Sequence, residues 1–253
     1  MSLERPDWPS SFDAMLERMQ RKTASDRAAD QRAREAQDFA QYRESVRHRA
    51  VELCRSLSEI GARFEQRTFE NFDAIGNETA LAAAHEIVDD AASSGSVERL
   101  GGYFWSPECG NGKSHLGGAI VNACVERGIA AVFITADGLM RRIRDTYNRR
   151  GDPKEGELDI IRRLSDVRVL VLDDVGTERF TPDSSRLLYA LVNGRYEANL
   201  GVVATSNLCL ADLGRLWARS GVEEHLAHKI VDRLVGMCSF KVRVHGQSRR
   251  GAA

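Results

Sequence analysis

The run Ser106-Pro107-Glu108-Cys109-Gly110-Asn111-Gly112-Lys113-Ser114-His115-Leu116 holds the residue types best suited to chemistry in this sequence. It follows the strand-like stretch Tyr103–Trp105 and opens a helical segment over Ser114–Arg127, the setting of a phosphate-binding P-loop. Gly110 and Gly112 let the backbone curl so that successive N–H groups point at phosphate oxygens. A helix starting near Lys113 adds its positive dipole end. The expected cradle is Glu108, Cys109, Gly110, Asn111, Gly112, Lys113, Ser114 and His115. In it Lys113 reaches the β- and γ-phosphates of ATP, and the Ser114 hydroxyl ligates Mg2+. Pro107 stands where the pattern G-x-x-x-x-G-K-[ST] has its first Gly, which removes an N–H and fixes φ. The bland alternative is a Gly-rich turn that caps a helix.

Three later groups fit the same chemistry. Val169-Leu170-Val171-Leu172-Asp173-Asp174 delivers two carboxylates at the end of a buried strand, where ligands bind in open α/β sheets. Asp173 is placed to hold the Mg2+ through water, and Asp174 to orient or polarise the attacking water. Without the P-loop, the pair would read as a strand ending in an Asx turn before Gly176. Val202-Val203-Ala204-Thr205-Ser206-Asn207 is a second buried strand with a small polar end, from which Asn207 could bond both the γ-phosphate and the water. Arg233, in Lys229-Ile230-Val231-Asp232-Arg233-Leu234, is either a surface residue paired with Glu223 or Asp232, or an arginine finger for a neighbouring subunit's site. Lys229, one helical turn earlier, competes for that role.

The elements that must position these groups alternate. Strand-like runs at Tyr103–Trp105, Ala131–Thr135, Val167–Leu172 and Val202–Ser206 are separated by helical segments at Ser114–Arg127, Gly138–Arg150 and Pro182–Glu197. A further helix is expected at Glu223–Leu234, and another, Glu78–Ala92, precedes the series and fades into Ser93-Ser94-Gly95-Ser96. Strands that are apolar throughout indicate a parallel sheet covered on both faces, an α/β class. Ahead of this core, Phe12 to Leu57 is polar, rich in good helix formers and free of Gly and Pro. It reads as a solvated, partly frayed helix pair, or as a docking arm whose short apolar stripes (Phe12, Met15, Leu16, Met19; Phe39, Tyr42, Val46) seat on a partner. Gly61 breaks the pattern. The expected division is therefore a helical N-terminal arm, residues 1–60, and an ATPase domain, residues 61–253.

Composition bounds the function. The 253 residues are 42% hydrophobic and 29% charged, ordinary values for a globular protein. Lys and Arg total 36 against 37 acidic residues, for a net charge of -1, which argues against coating nucleic acid by bulk charge but permits a local groove. Arg141, Arg142, Arg144, Arg149 and Arg150 with Tyr147 form one candidate single-stranded-DNA face, or else a solvated helix face. No run of about 18 apolar residues and no signal-like start are visible, so the chain is expected in the cytoplasm without a membrane partner. The five isolated cysteines lack metal-ligand spacing; Cys124 and Cys238 are expected in the core.

From about Gly61 to Arg250 the chain resembles the DnaC/IstB family of AAA+ ATPases, most closely its DnaC-type helicase loaders. The resemblance rests on Thr68-Phe69-Glu70-Asn71-Phe72, Gly112-Lys113-Ser114-His115-Leu116, Asp173-Asp174-Val175-Gly176 and Asn193-Gly194-Arg195-Tyr196-Glu197. Thr205-Ser206-Asn207-Leu208, Val231-Asp232-Arg233-Leu234 and Gly246-Gln247-Ser248-Arg249-Arg250 extend it. It implies an AAA+ P-loop core, a parallel sheet sandwiched by helices, that uses ATP and Mg2+. It also implies self-association in a spiral or ring with Arg233 acting in trans, contact with single-stranded DNA, and an N-terminal arm that grips a hexameric replicative DNA helicase. An IstB-type transposition ATPase, a non-hydrolysing ATP-bound scaffold and a small-molecule kinase with a lid over Met140–Arg163 are the other readings. Pro107 and Asp174, where many AAA+ proteins have Glu, imply slow hydrolysis.

Overall fold

The computed structural model describes residues 10–58, 66–93, 100–148, 156–177, 181–220 and 224–246. Its centre is a sheet of five strands, β1 (Gly102–Trp105), β2 (Ala131–Thr135), β3 (Val169–Val175), β4 (Val203–Ser206) and β5 (Phe240–Arg243). Their order is β2-β3-β4-β1-β5, with every neighbouring pair parallel. The α/β class expected from the apolar strands is the one observed.

Both faces of the sheet are buried because successive strand residues point to opposite sides. Phe104, Ala131, Phe133, Val169, Val171 and Val203 pack with α2 (Glu78–Ala92) and α3 (Lys113–Glu126). Tyr103, Val132, Ile134, Leu170, Leu172 and Ala204 face the other cluster. That cluster is covered by α4 (Ala136–Asn148), α5 (Glu157–Asp166), α6 (Pro182–Glu197), α7 (Leu210–Arg219) and α8 (Glu224–Met237). Each large aliphatic or aromatic side chain so buried contributes about 1.5–3 kcal/mol. Cys124 and Cys238 are fully buried in these two clusters, and burial pushes both thiols up to about 12.

Several expectations are corrected. β3 runs on through Val175, so the two carboxylates lie within the strand rather than after it. β5, α5 and α7 are additional. β5 alternates half-buried and exposed residues, as an edge strand does, and so lacks the apolar run that marked the others. α5 packs Ile160, Ile161 and Leu164 into the core, so this part of Met140–Arg163 is not a lid.

The N-terminal helices are a single element, α1 (Ser10–Leu57), since nothing in it breaks a helix. The chain separates into two compact units, Met1–Ser45 and Val46–Ala253. In the first, Met15, Phe39 and Tyr42 are exposed. In the second, Ala50 and Leu57 are buried and the end of α1 is tied down. Ser58 Oγ accepts from Phe133 N on edge strand β2 at 2.9 Å, and Arg142 of α4 donates to Ser56 O at 2.7 Å. The boundary expected at residue 60, the break at Gly61, the turn Ser94-Gly95-Ser96, Arg149, Arg150, Glu223 and Gln247-Ser248-Arg249-Arg250 lie outside the described residues.

Candidate functional site

The strand order decides which residues can meet. β4 lies between β1 and β3, so the P-loop after β1 and the carboxylates on β3 flank the polar end of β4. A backbone bond from Ser106 N to Ser206 O, 3.1 Å, fastens the loop to that strand. The result is a cleft of about 240 Å³, lined by the loop from Cys109 to His115 together with Asp174, Asn207 and Arg67.

The loop itself is built from left-handed turns. Gly110 (φ 79°) and Gly112 (φ 103°) occupy conformations that other residues rarely adopt. A Cβ on Gly112 would also stand 3.0 Å from the Phe72 ring. Lys113 is buried at 4% exposure, its Nζ donating to Glu108 O at 2.7 Å and Asn111 Oδ1 at 3.1 Å. Burial lowers its pKa, while the neighbouring Cys109, Asp174, Asp173 and Glu108 act to raise it. Glu108, on the exposed lip, accepts from Ser106 Oγ at 2.5 Å and pairs with Arg243 at 3.5 Å. The Ser106 bond is the chief cause of its lowered pKa. Asn111 is fully buried and donates to Val244 O at 2.9 Å. His115 Nε2 lies 3.0 Å from Thr68 O, so its ring fastens the preceding segment to α3.

On the opposite wall, Asp173 is 2% exposed and accepts from Thr205 Oγ1 at 2.5 Å and from the Ser114 hydroxyl. Burial, with Asp174 adding to it, pushes its carboxyl up to about 6 against these two bonds. Thr205 Oγ1 in turn accepts from Asp174 N at 3.0 Å. The β3–β4 register shifts between Leu172 and Val175, and Asp174 itself has φ 56°. That left-handed residue costs of order 1 kcal/mol, and Thr177 Oγ1 (2.7 Å from Asp174 O) helps hold it. Ser206 Oγ braces the same bend by donating to Val175 O at 2.6 Å.

The structure thus brings Cys109 to His115, Asp174 and Asn207 together around the cleft, with Asp173 bonded to Ser114 and Glu108 on the lip, while Arg233, expected to serve a neighbouring copy, stands apart. Its Nε donates to Asn193 Oδ1 at 2.7 Å, and its guanidinium carbon lies 5.0 Å from the Tyr189 ring centre and 5.5 Å from that of Tyr196. It lines no part of this chain's cleft. Thr205 and Arg67 are the site residues that sequence reasoning missed. Thr205 was visible only as part of a polar strand end; its role follows from the parallel pairing of Leu172 with Ala204, which sets Asp173 beside it. Nothing in residue type or spacing marked Arg67.

Among the described residues no three His, Cys, Asp or Glu side chains could hold a metal by themselves. Mg2+ needs fewer protein ligands when phosphates and waters complete its shell. The Ser114 hydroxyl bonded to the buried Asp173 carboxylate, beside a loop with left-handed Gly110 and Gly112 and the buried Lys113, fits a magnesium-bound nucleotide.

The family model described as IstB-like ATP binding protein matches residues 13–252. This chain belongs to that family. It is 26% identical over 167 residues to the replicative helicase loader DnaC of Escherichia coli strain K12, covering 64% of this chain and 65% of that protein. The chain therefore spans just under two thirds of that relative's length. It is 28% identical over 165 residues to the ATP-binding protein of insertion sequence IS21 from Pseudomonas aeruginosa, covering 65% of this chain and 58% of the relative. The crystal structure of DnaI superposes with a TM-score of 0.60 at 20% identity, covering 77% of this chain and 98% of that one. The fold is that of the AAA+ P-loop ATPases. No helix among the described residues is long and apolar enough to cross a membrane.

Proposed function

We propose that this protein is an ATP-hydrolysing helicase loader that works in the cytoplasm and places a hexameric replicative helicase on single-stranded DNA. The observation that carries the ATPase part is the Ser114–Asp173 hydrogen bond beside the P-loop, which sets two metal ligands of opposite walls against each other. In this reading the loop from Glu108 to His115 binds the phosphates, Lys113 neutralises their charge, and Ser114 and Asp173 hold Mg2+, which would lower the charge on the transferred phosphoryl group. Asp174 and Asn207 orient the attacking water, and Arg233 acts on the site of a neighbouring copy in a spiral or ring. The strained Asp174, a short carboxylate where a longer one would reach further, and Pro107 make hydrolysis slow, as suits a switch.

The partner rests on likeness to DnaC and on an arm, residues 1–60, whose helix exposes Phe39 and Tyr42. The likeness to the IS21 protein supports a second reading, in which the same core serves a transposase. Size-exclusion chromatography of the full chain with ATP, single-stranded DNA and either the host helicase or a transposase separates the two. Co-elution with helicase, lost on deleting residues 1–60, is the expected result; co-elution with transposase alone selects the second reading.

A further inference from the structure

We propose that Arg67 is a phosphate-contacting residue of the nucleotide site, acting within its own chain on the terminal phosphate of ATP. This rests on the reading of the cleft as a magnesium–ATP site. Arg67 belongs to a short segment that is fastened to α3 at several points. Its carbonyl accepts from Asn122 Nδ2 at 2.7 Å, and the next carbonyl, Thr68 O, lies 3.0 Å from His115 Nε2. Asn71 closes the turn, its Nδ2 donating to Gln66 O at 2.7 Å and its Oδ1 accepting from Thr68 N at 2.9 Å. Phe72 then seats against His115, with ring centres 5.7 Å apart. A side chain carried on so constrained a backbone is positioned before any ligand arrives, which is what precise phosphate recognition requires.

The direction of that side chain is set by what it lines. Arg67 shares the cleft with Ser114, Asp174 and Asn207, the residues assigned to the metal and the attacking water. Its positive charge is felt at Asp173 and favours the ionised carboxylate there. The other rim of the loop has its own cation, Arg243 beside Glu108. Arg67 therefore stands at the end of the cleft where the last phosphate and its metal would lie. Its Nη1 is shielded from solvent. A sheltered guanidinium is stabilised by negative charge, and its planar fork of N–H donors matches phosphate oxygens. With Lys113 lining the same cleft, the terminal phosphate would meet two cations of the same chain. ATP would gain more from Arg67 than ADP would.

Calorimetric titration of the full chain with ATP and with ADP, both with Mg2+, tests this on wild type, Arg67→Ala, Arg67→Gln, Arg67→Lys and Lys113→Ala, alongside apo thermal midpoints. Loss of one charged contact should weaken ATP binding by about tenfold or more in Arg67→Ala. ADP binding should change much less, Arg67→Lys should recover part of the loss, and apo midpoints should stay near wild type. Arg67→Gln, which keeps the length of the side chain, gives the same readout if the Ala variant does not fold. Unchanged ATP affinity overturns the proposal, as does an equal loss for ATP and ADP. If Lys113→Ala also binds ATP like wild type, the reading of the cleft itself falls; if Lys113→Ala alone is weakened, only the role of Arg67 falls.

Discussion

Asp173 is a buried carboxylate held by two hydroxyls, and its raised pKa makes a signed prediction. The folded value of about 6 lies above the ordinary 3.8, so the native state binds the proton more tightly. Its contribution to stability is present at acid pH and is lost as pH rises through about 6, a cost of about 3 kcal/mol at most. Asp173→Asn removes that cost while keeping an acceptor for Thr205. In metal-free protein its thermal midpoint should equal wild type near pH 4 and exceed it by several degrees at pH 8. Adding Mg2+ and ATP at pH 8 should then stabilise wild type strongly and the variant weakly, because Asn is a poor magnesium ligand. A variant that gains as much from Mg2+–ATP as wild type would remove Asp173 from the metal site. At this scale the position of the carboxylates, at the end of an apolar run, was legible in the sequence, and the strand order brings them opposite the P-loop. The sequence did not reveal the left-handed Asp174 or the Thr205 bridge, since both come from a register shift between two strands distant in sequence.

Elements are joined by residues that the resemblance flagged without a reason. Asn193, Gly194 and Arg195 sit together on α6 and each does a different job. Asn193 holds Arg233 of α8. Gly194 allows α5 to approach, since a Cβ there would stand 2.8 Å from Ser165 Oγ. Arg195 is fully buried, and its guanidinium donates to Leu164 O, Ser165 O and Val167 O at the end of α5 and twice to Gly201 O before β4. These are carbonyls that a helix end and a strand entry leave without partners. Burial pulls its pKa down to about 9, with Asp166 opposing, and the group stays charged at neutral pH. Arg195→Ala should therefore cost about 3–5 kcal/mol in denaturant unfolding, and Arg195→Lys should recover only part. A loss below about 1 kcal/mol for the Ala variant would show that water replaces the guanidinium. The four core strands and their helices were legible because both-face burial leaves continuous apolar runs. α5, α7 and β5 were not, because short amphipathic pieces and an edge strand carry mixed patterns that resemble loops.

The whole molecule poses one question that its parts do not: whether Arg233 serves a phosphate, and in which chain. In this chain it lies between Tyr189 and Tyr196, bonded to Asn193, and contributes nothing to the cleft beside its own P-loop. A guanidinium held by two aromatic faces and one amide is oriented in advance, and α8 is half-exposed around it. The sequence could list Arg233 as a surface residue or as a finger for a neighbour, and periodicity alone could not decide, because the answer depends on a second copy. A mixing experiment can. Lys113→Ala has a disabled site but an intact Arg233; Arg233→Ala has the reverse. Each variant alone should hydrolyse ATP at a small fraction of the wild-type rate, a loss of about a thousandfold or more for a missing finger. If Arg233 serves a neighbouring site, mixing the two in equal amounts with single-stranded DNA pairs a good site with a good arginine at some interfaces. Turnover should rise to a measurable share of wild type and fall again when the mixture is diluted below its association range. If the arginine swings into its own cleft instead, every chain in the mixture lacks one of the two groups, and the rate stays at the level of the variants measured separately.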